Sequence, residues 1–516
     1  MLDIRKCFDT IWHEGLFLKL YDVGIVGKTW RVLRNLYRNF TCNVRVQNQL
    51  SEDIYIERGL HQGAPCSMLF FAIFINDLLD ELQSFYPCIK ICNKVINCFA
   101  FADDITIMAS CKVDLQEMID ISYRYSCKWR FQFNPTKCIV LTIGRKQSIS
   151  VKMGPHRLNT SQCESLLGVS LATNKADEHQ YINNRVTKCK SMVYATISLG
   201  SKKCPLSPSV ASRLYRSACL PKLLYGCDIM DADENIVKTM DTFHSNASKI
   251  FQGLPTNACS TASIGTIGWS HIQSSIDIMK LTFLWRLLLL PMGSIYKILA
   301  LRIIFMLIDT TQVNVSCSPI ALMLRTCMKY NLLKLVVESI TCANYMTMNA
   351  WKKKVRGLVQ KKGMLCWRIE CLLYRSLDLY DHDSRISMSI WWQYSKQNPK
   401  DIKRCMLMLK LLLNCYRLGA DRCKYCNDHN MSSLPHILFE CKSVSGIRNE
   451  LLCKIALQNN NLIESMAKMD TYSKCKLLLN GFYCEYISEW NSIYTETLAF
   501  VTLVYQQYYR DVIKIV

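Results

Sequence analysis

Several features are missing from this sequence, and each absence excludes a class of protein. The sequence has no fixed-period repeat and no low-complexity tract, which excludes solenoids and linker-rich arrays. Its longest apolar stretch, 281–308, holds at most ten uncharged residues in a row, whereas a membrane-spanning helix needs about 20. That stretch therefore predicts a buried helical region. At the N-terminus, Asp3, Arg5 and Lys6 interrupt the apolar segment that a secretion signal needs, so we expect no such signal.

Acidic residues are scarce, with 41 Asp and Glu against 63 Lys and Arg, which gives a formal charge of +22. This surplus favours polyanionic partners, nucleic acid first, although acidic lipid would also suit the charge alone. Half of the 516 residues are hydrophobic, so the chain can bury sizeable cores, and its length suggests about three domains. Without secretion, we expect an intracellular protein of cytoplasm and nucleus. Most of its 28 cysteines should then be reduced core residues.

Two adjacent aspartates lie between β-prone apolar arms. In VINCFAFADDITIMAS, residues 95–110, this pattern predicts a hairpin with Asp103 and Asp104 at its tip. Neighbouring carboxylates repel each other and are costly to desolvate unless cations neutralise them. A pair of Mg²⁺ ions, as used in nucleotidyl transfer, would supply that neutralisation, with Asp3 as the natural third carboxylate. For an isolated Asp-Asp pair, an ordinary surface turn is the alternative.

Helical spacing dominates the rest of the chain. The apolar stretch 67–82 suits a helix buried in a core. Residues 182–197 place an apolar side chain every three or four positions, as on one face of a helix. Ser207 should cap a further helix that begins at Pro208, with apolar residues at spacing four from Val210.

Three stretches resemble, in order and spacing, polymerase motifs A, B and C of reverse transcriptases from non-LTR (LINE-type, jockey-like) retrotransposons. They are LDIRKCFDTIWHEGLFLKL (2–20), RGLHQGAPCSMLFFAIFINDLL (58–79) and FAFADDITIMA (99–109). SCKWRFQFNPTKCIVLTIG (126–144) looks like motif D, and LLGVSL (166–171) looks like the primer-grip turn. The likeness continues through a thumb-like segment at 207–230 and covers most of the chain.

The resemblance implies an α+β fold in five parts. Residues 1–150 would form the reverse transcriptase palm, an antiparallel sheet with packed helices, and 151–275 the primer grip and helical thumb. A mainly helical connector (276–415), a small CCHC zinc-knuckle module (416–455) and a C-terminal helical segment (456–516) would follow. The family's fingers and endonuclease regions would be absent, which implies a truncated copy whose motif A strand lacks a neighbour.

The resemblance also assigns roles to single residues. Asp3 and Asp103 would hold two Mg²⁺ ions, or Mn²⁺, and Asp104 would complete the acidic cluster. A primer 3′-hydroxyl would then attack the α-phosphate of a dNTP, and Lys137 would act on the leaving pyrophosphate. Phe8 would stack under the sugar and exclude a 2′-hydroxyl, while Asp9 would orient its neighbours. The remaining roles are nucleotide binding by Phe8, Gln62 and Gly63, and the primer grip at Leu167, Gly168 and Val169.

A second metal site is predicted near residue 430. Cys423 and Cys426 form a CxxC chelate, and an HxxxxC helix would return His436 and Cys441 to the same side. Three thiolates and one imidazole favour structural Zn²⁺ over Mg²⁺. With 28 cysteines, a chance arrangement is the alternative, and His429 is a spare ligand. The stretch also resembles the family's CCHC module, which would bind nucleic acid.

One basic run remains. WKKKVRGLVQKK (351–362) carries six basic residues and no acidic one. With Trp351 and Trp367 nearby, we interpret it as a phosphate-tracking surface with stacking aromatics. A solvated helix face is the alternative.

The sequence thus predicts an RNA-directed DNA polymerase that extends a DNA primer, in the family a nicked target strand, on an RNA template. Its substrates would be dNTPs, and it would have no membrane partner. Two alternatives stay open: a relic that binds nucleic acid without catalysis, and an intron maturase that shares the palm motifs. The jockey-like sequences of the motifs and the position of the CCHC module towards the C-terminus argue against the maturase.

Overall fold

The structure is a computed structural model that describes residues 1–38, 40–91, 94–143, 149–172, 175–200, 205–309, 318–381, 386–415, 423, 426, 433–482 and 490–509. The chain forms two units. Unit 1 comprises Met1–Glu178 and Gly293–Leu299, and unit 2 comprises His179–Met292 and Ala300–Val516.

Unit 1 mixes helices with short strands. Its helices are α1 (His13–Asp22), α2 (Gly27–Arg38), α3 (Ser67–Ser84) and α4 (Lys112–Lys128). Its strands are β1 (Thr41–Cys42), β2 (Arg45–Val46), β3 (Gln49–Leu50), β4 (Ile54–Tyr55), β5 (Lys90–Ile91), β6 (Lys94–Val95), β7 (Cys98–Phe101), β8 (Asp104–Ile107), β9 (Ile139–Leu141), β10 (Lys152–Met153), β11 (His156–Arg157), β12 (Asn159–Ser161), β13 (Cys163–Leu166) and β14 (Val169–Ala172). Every strand pair is antiparallel except β9 with β12, which is parallel.

Unit 2 is helical in the described part of the chain. It contains α6 (Pro208–Leu214), a π-helical turn (Tyr215–Cys219), α7 (Leu220–Leu224), α8 (Glu234–Phe251), α9 (Ser260–Thr266), α10 (Ile272–Leu288), α12 (Pro319–Lys329), α13 (Leu333–Thr341) and α14 (Met348–Leu372). It continues with α15 (Ile390–Gln397), α16 (Ile402–Leu412), a second π-helical turn (His436–Glu440), α17 (Ser445–Gln458), α18 (Asn460–Ala467), α19 (Thr471–Asn480) and α20 (Asn491–Tyr509). Two further helices, α5 (Lys175–Ser198) and α11 (Ile295–Asp309), contribute residues to both units.

The predicted hairpin and the predicted buried helix form the core of unit 1. Strands β7 and β8 pair with Phe101 opposite Asp104, which confirms the hairpin with the two aspartates at its tip. Helix α3 covers the stretch predicted as helical and buries Phe74 and Leu78 completely. The burial is one-sided, however, because Met68 is 53% exposed.

The motif A segment has neighbours on both sides, so the expectation of a strand without one was wrong. Leu2 pairs with Ile105 of β8, and Ile4 pairs with Phe133. The Met1 amino group also donates a hydrogen bond to the Ile139 carbonyl at 2.9 Å. These contacts come from residues 100 or more positions away, which local sequence reasoning does not see.

Helix α5 confirms most of the predicted apolar face, because Ile182, Val186, Cys189 and Val193 are buried, but Ile197 at its end is exposed. The face predicted for α6 was wrong. Its Val210 is 41% exposed, and the π-helical turn that follows instead buries Tyr215. The Tyr215 ring stacks on Trp269, and this contact holds Tyr215 in the core.

The interpretation of 351–362 as a surface with stacking aromatics was also wrong. Trp351 is fully buried and stacks on Trp285 with ring centroids 4.0 Å apart. Trp367 is also buried and donates its indole N–H to the Thr261 carbonyl at 2.9 Å. The apolar positions of α14 form the core contact, and its basic residues form the solvated face.

The apolar stretch 281–308 is split between α10 and α11, and Leu284 and Trp285 within it are fully buried. Among the helices that the structure describes, none is long and apolar enough to cross a membrane.

The 24 cysteines in the described ranges are free thiols, as expected, but only 12 of them are buried.

Candidate active site and metal centre

The aspartate of motif A is held beside the hairpin by backbone hydrogen bonds. The Leu2 amide donates to the Ile105 carbonyl at 2.7 Å, and the Asn134 amide donates to the Asp3 carbonyl at 2.8 Å. Leu2 and Ile4 are each 4% exposed, and alternate residues of an extended segment point to opposite faces. The Asp3 side chain therefore points away from the core, and it is half-buried.

The hairpin tip has an unusual backbone. Its turn residue Ala102 has a φ of 54°, in the left-handed region that a residue with a Cβ rarely adopts. Asp103 is half-buried and accepts a hydrogen bond from the Cys7 thiol at 3.3 Å, whereas Asp104 is exposed. Strained backbone of this kind occurs often at functional sites.

The charges of the three aspartates interact. Burial raises the pKa of Asp3, and the nearby carboxylates of Asp103 and Asp104 raise it further. Lys137 acts in the opposite direction, with its Nζ 4.0 Å from Asp3 Oδ1. We call Asp3, Asp103 and Asp104 the acidic cluster. Hard carboxylate oxygens that repel one another fit a divalent cation such as Mg²⁺.

Cys7 is a member of this site that sequence reasoning missed. Burial, together with its hydrogen bond to Asp103, raises the pKa of the Cys7 thiol to about 12. The group therefore stays protonated at neutral pH and serves as a donor. A cysteine next to Phe8 carries no local signal for such a contact, because Asp103 is 96 residues away.

The predicted nucleotide-binding residues lie where motif B meets motif A. The Leu60 amide donates to the Phe8 carbonyl at 2.6 Å, and the Phe8 ring packs 5.4 Å from that of Phe71. Gln62 donates from Nε2 to Asp9 Oδ1 at 2.7 Å. Gly63 has a φ of +89° and open space where a Cβ would be, so this glycine serves the backbone turn rather than close packing.

The predicted primer grip is a separate hairpin, made of β13 and β14, that is not hydrogen-bonded into the β7–β8 sheet. Its two central residues are Leu167 and Gly168, with φ of 51° and 75°. Positive φ at both positions is typical of a tight hairpin turn, in which glycine is favoured and leucine is strained. Val169 begins the returning strand.

The four predicted zinc ligands converge. Cys423, Cys426, His436 and Cys441 each offer one ligand atom, and these atoms all lie within 4.8 Å of one another. The sulfurs of Cys423 and Cys441 are 3.8 Å apart, and Cys426 Sγ is 3.4 Å from His436 Nε2. A tetrahedron with Zn–S bonds of about 2.3 Å has edges of roughly 3.8 Å, so the four side chains fit zinc. The spare ligand His429 lies outside the described residues.

A π-helical turn brings two of these ligands together. In an α-helix, residues five apart are about 140° apart around the axis, on different faces. Here the Cys441 amide donates to the His436 carbonyl at 2.8 Å, an i to i+5 bond that widens the turn. The HxxxxC spacing thus places both ligands on one side, as predicted, but through π-helical rather than α-helical geometry.

Further side chains support this Cys/His cluster from outside. Glu440 Oε2 lies 3.1 Å from His436 Nδ1, an arrangement that orients a metal-binding imidazole and raises its basicity. Burial opposes ionisation of Cys441, but hydrogen bonds from Ser443 and Tyr508 outweigh it and lower its pKa to about 7. Glu440 was detectable as the i+4 neighbour of His436. Tyr508, 67 residues from Cys441, was not.

Comparison with known proteins gives the class of the first part of the chain. Residues 1–183 match the model of the family described as reverse transcriptase (RNA-dependent DNA polymerase). By this match, residues 1–183 are similar to a reverse transcriptase domain, and their mixture of helices and small sheets agrees with the predicted α+β fold class at that level.

The relatives found are polymerases of mobile elements. The chain is 24% identical over 248 residues to a retrovirus-related Pol polyprotein from the type-1 retrotransposable element R2 of Popillia japonica, covering 46% of this chain and 40% of that protein. It is 23% identical over 261 residues to a probable RNA-directed DNA polymerase from transposon X-element of Drosophila melanogaster, covering 49% and 28%. For the RNA-directed DNA polymerase from mobile element jockey of the same species, the identity is 22% over 236 residues, covering 44% and 25%. The chain thus spans less than half the length of these relatives.

Proposed function

We propose that this chain is an RNA-directed DNA polymerase of a non-LTR retrotransposon, which extends the 3′-end of a DNA primer on an RNA template. The observation that carries the proposal is the acidic cluster, in which Asp103 and Asp104 lie at the tip of a hairpin and Asp3 lies on the neighbouring motif A segment. All three fall within the residues that match the reverse transcriptase family. The hairpin and the motif A segment place carboxylates where their charges interact. The binding-only relic and the intron maturase have no comparable observation in their favour.

In the proposed mechanism, Asp3 and Asp103 would hold the two divalent ions, and Asp104 would complete the negative charge around them. Bound Mg²⁺ or Mn²⁺ would stabilise the charge that develops on the α-phosphate and lower the pKa of the attacking 3′-hydroxyl. Cys7 orients the Asp103 carboxylate through its thiol hydrogen bond. Lys137, beside Asp3, would neutralise the leaving pyrophosphate.

Selection of the incoming dNTP would fall to Phe8 and the motif B turn. The Phe8 ring packs against the Phe71 ring, and the backbone carbonyl of Phe8 accepts a hydrogen bond from the Leu60 amide. A ring held in this way is suited to pack under a deoxyribose and to clash with a 2′-hydroxyl. Gln62 would contact the nucleotide, with its amide oriented by Asp9, and Gly63 would hold the backbone turn in which Gln62 lies.

The Cys/His cluster would bind structural Zn²⁺ rather than take part in chemistry. Its ligand spacing and the Glu440 contact with His436 support this assignment. A small zinc module of this kind would bind the template or target DNA. The five-part organisation, with a palm at 1–150, a thumb at 151–275 and the Leu167–Val169 primer grip, belongs to the same proposal.

The test is primer extension by the purified chain with an RNA template, a DNA primer, dNTPs and Mg²⁺ or Mn²⁺. We expect incorporation by the wild type and none by Asp103→Asn. Asp22→Asn, an exposed aspartate at the end of α1, is the matched control and should extend the primer normally. Incorporation by Asp103→Asn would remove the hairpin from the mechanism. A folded wild type that binds template but adds no nucleotide would favour the binding-only relic.

A further inference from the structure

Unit 2 contains a cleft that none of the roles above uses. It has a volume of about 860 Å³ and lies among the first π-helical turn, α8, α10 and α14. Clefts of roughly 300–1,000 Å³ are the usual size for sites that take a small molecule or a segment of a larger ligand. The volume alone does not identify the ligand, but the residues that line the cleft indicate its charge.

The lining of the cleft is basic. Arg216, Arg356 and Lys361 line it and are all exposed. No acidic side chain belongs to the lining among the described residues. Arg356 and Lys361 lie on the solvated face of α14, whereas Arg216 belongs to the π-helical turn. Three cations from two separate elements therefore border one concave surface, which favours an anionic ligand.

A buried histidine also lines the cleft. His244 of α8 is 3% exposed, and its Nδ1 is 2.9 Å from the Tyr215 hydroxyl. Its Nε2 is buried and makes no hydrogen bond of ordinary geometry, although the Ser270 backbone lies beside the His244 ring. Burial lowers the pKa of His244 to about 4, so the ring is neutral near pH 7. An unsatisfied buried imidazole nitrogen normally has a reason to persist.

Aromatic packing holds this histidine in place. Tyr215 stacks on Trp269 with ring centroids 4.4 Å apart, and Trp269 lies 4.6 Å from the His244 ring. Burial raises the pKa of Tyr215, so its hydroxyl keeps its proton and can donate it to Nδ1. With Nδ1 as the acceptor, Nε2 carries the remaining proton.

The N-terminal turn of α10 adds to the positive potential. Ser274 of this 17-residue helix lines the cleft, and the helix dipole favours anions near a helix N-terminus. Asp241 accepts a hydrogen bond from the Ile272 amide and pairs with His271, and it is not part of the cleft lining.

We propose that this cleft binds a phosphate group, held by Arg216, Arg356 and Lys361 and by the His244 Nε2–H group. The phosphate would come either from a polynucleotide strand or from a free nucleotide, which share this chemistry. The choice of a polynucleotide rests on the proposed function, whereas the phosphate site itself does not.

The test measures binding without catalysis, so its outcome is independent of polymerase activity. The full chain is titrated into a fluorescein-labelled single-stranded RNA 12-mer in EDTA, and fluorescence anisotropy is followed at several KCl concentrations. The variant Arg216→Ala/Lys361→Ala removes two cleft cations. The matched control, Lys353→Ala/Lys354→Ala, removes two exposed cations of α14 that do not line the cleft. All four side chains are exposed, so both variants should fold.

We expect the cleft variant to bind the RNA at least about tenfold more weakly and to lose roughly one unit of salt slope per cation removed. The control should change binding less than about twofold. Equal weakening by the two variants would mean that only net charge matters, and it would overturn the proposal. RNA binding that neither variant alters would overturn it as well, unless the second arm finds a free nucleotide in the cleft.

That second arm separates the two sources of phosphate. ATP is titrated into wild type and cleft variant while tryptophan fluorescence is followed, because Trp269 borders the cleft. A saturable change in the wild type alone would support a free nucleotide as the ligand. Cleft-dependent RNA binding without an ATP response would support a polynucleotide strand. If neither ligand depends on the cleft residues, the phosphate site is refuted.

Discussion

The acidic cluster of unit 1 and the Cys/His cluster of unit 2 are both suited to cations, but they are organised in opposite ways. The acidic cluster is half-buried to exposed, and burial together with repulsion between its carboxylates raises the pKa of Asp3. The Cys/His cluster is largely buried, and hydrogen bonds lower the pKa of Cys441 to about 7. The first arrangement leaves room for a substrate, whereas the second closes four ligands around one ion.

This difference predicts that the two clusters respond to mutation in opposite ways. Removing a charge from the acidic cluster should cost activity but not stability, because repulsion is relieved. Removing a ligand from the Cys/His cluster should cost stability first, because the fold there depends on a bound ion.

The largest effect is expected for Asp3→Asn. Primer extension should fall more than about a hundredfold, since a ligand of the proposed metal pair is lost. The pKa of Asp3 is raised in the folded state, so ionised Asp3 destabilises the fold, and stability falls as pH rises from about 4 through the folded pKa. The variant should therefore melt at least as high as the wild type at pH 7 in EDTA, as measured by scanning calorimetry. A lower melting temperature would contradict the destabilisation of the fold by ionised Asp3.

Mutation of the Cys/His cluster should have the opposite effect, a loss of stability. Cys423→Ser/Cys426→Ser should lose one bound zinc per chain, measured by atomic emission, and should be destabilised by several kcal/mol. Cys453→Ser, which changes an exposed cysteine of α17, is the control and should keep both zinc and stability. Equal zinc content in the double variant and the control would rule out the site.

A smaller effect is expected at His271, a cation held by carboxylates within unit 2. Burial lowers its pKa, but Asp241 and Glu370 outweigh burial and raise it, while His244 is neutral nearby. The stabilisation is thus fully present below about pH 6.5 and is lost as pH rises through the folded pKa. His271→Gln should cost about 1 kcal/mol or less at pH 5.5, since the pair is partly exposed, and less at pH 8. A loss of stability in His271→Gln that increases with pH would contradict this prediction.

The smallest effect is expected in the β13–β14 turn. Leu167 holds a φ of 51° and is 43% exposed, so Leu167→Gly should raise the free energy of unfolding by up to about 1 kcal/mol. Val210→Gly, at a second apolar residue that is 41% exposed but lies inside α6, should instead destabilise. If Leu167→Gly also weakens primer extension, the side chain has a role beyond the turn.

The local sequence pattern was sufficient to predict an element wherever that element depends on residues close together in the chain. The hairpin around Asp103, helix α3 and the apolar face of α5 follow from alternating or helical spacing. The same reasoning failed for α6, where a π-helical turn changes which side is buried. It also failed for Trp351, because an amphipathic helix buries its tryptophan as readily as it displays it.

By itself, the sequence determined the motifs, their order and the ligand types, because carboxylate and thiolate chemistry belongs to single residues. Tertiary structure decided the rest. It brought Cys7 to Asp103, Tyr508 to Cys441 and three cations to the His244 cleft. These contacts join residues from tens of positions to more than a hundred positions apart, and no periodicity in the chain encodes such pairs. Their geometry follows from how whole elements pack, and so it appears only once the fold is known.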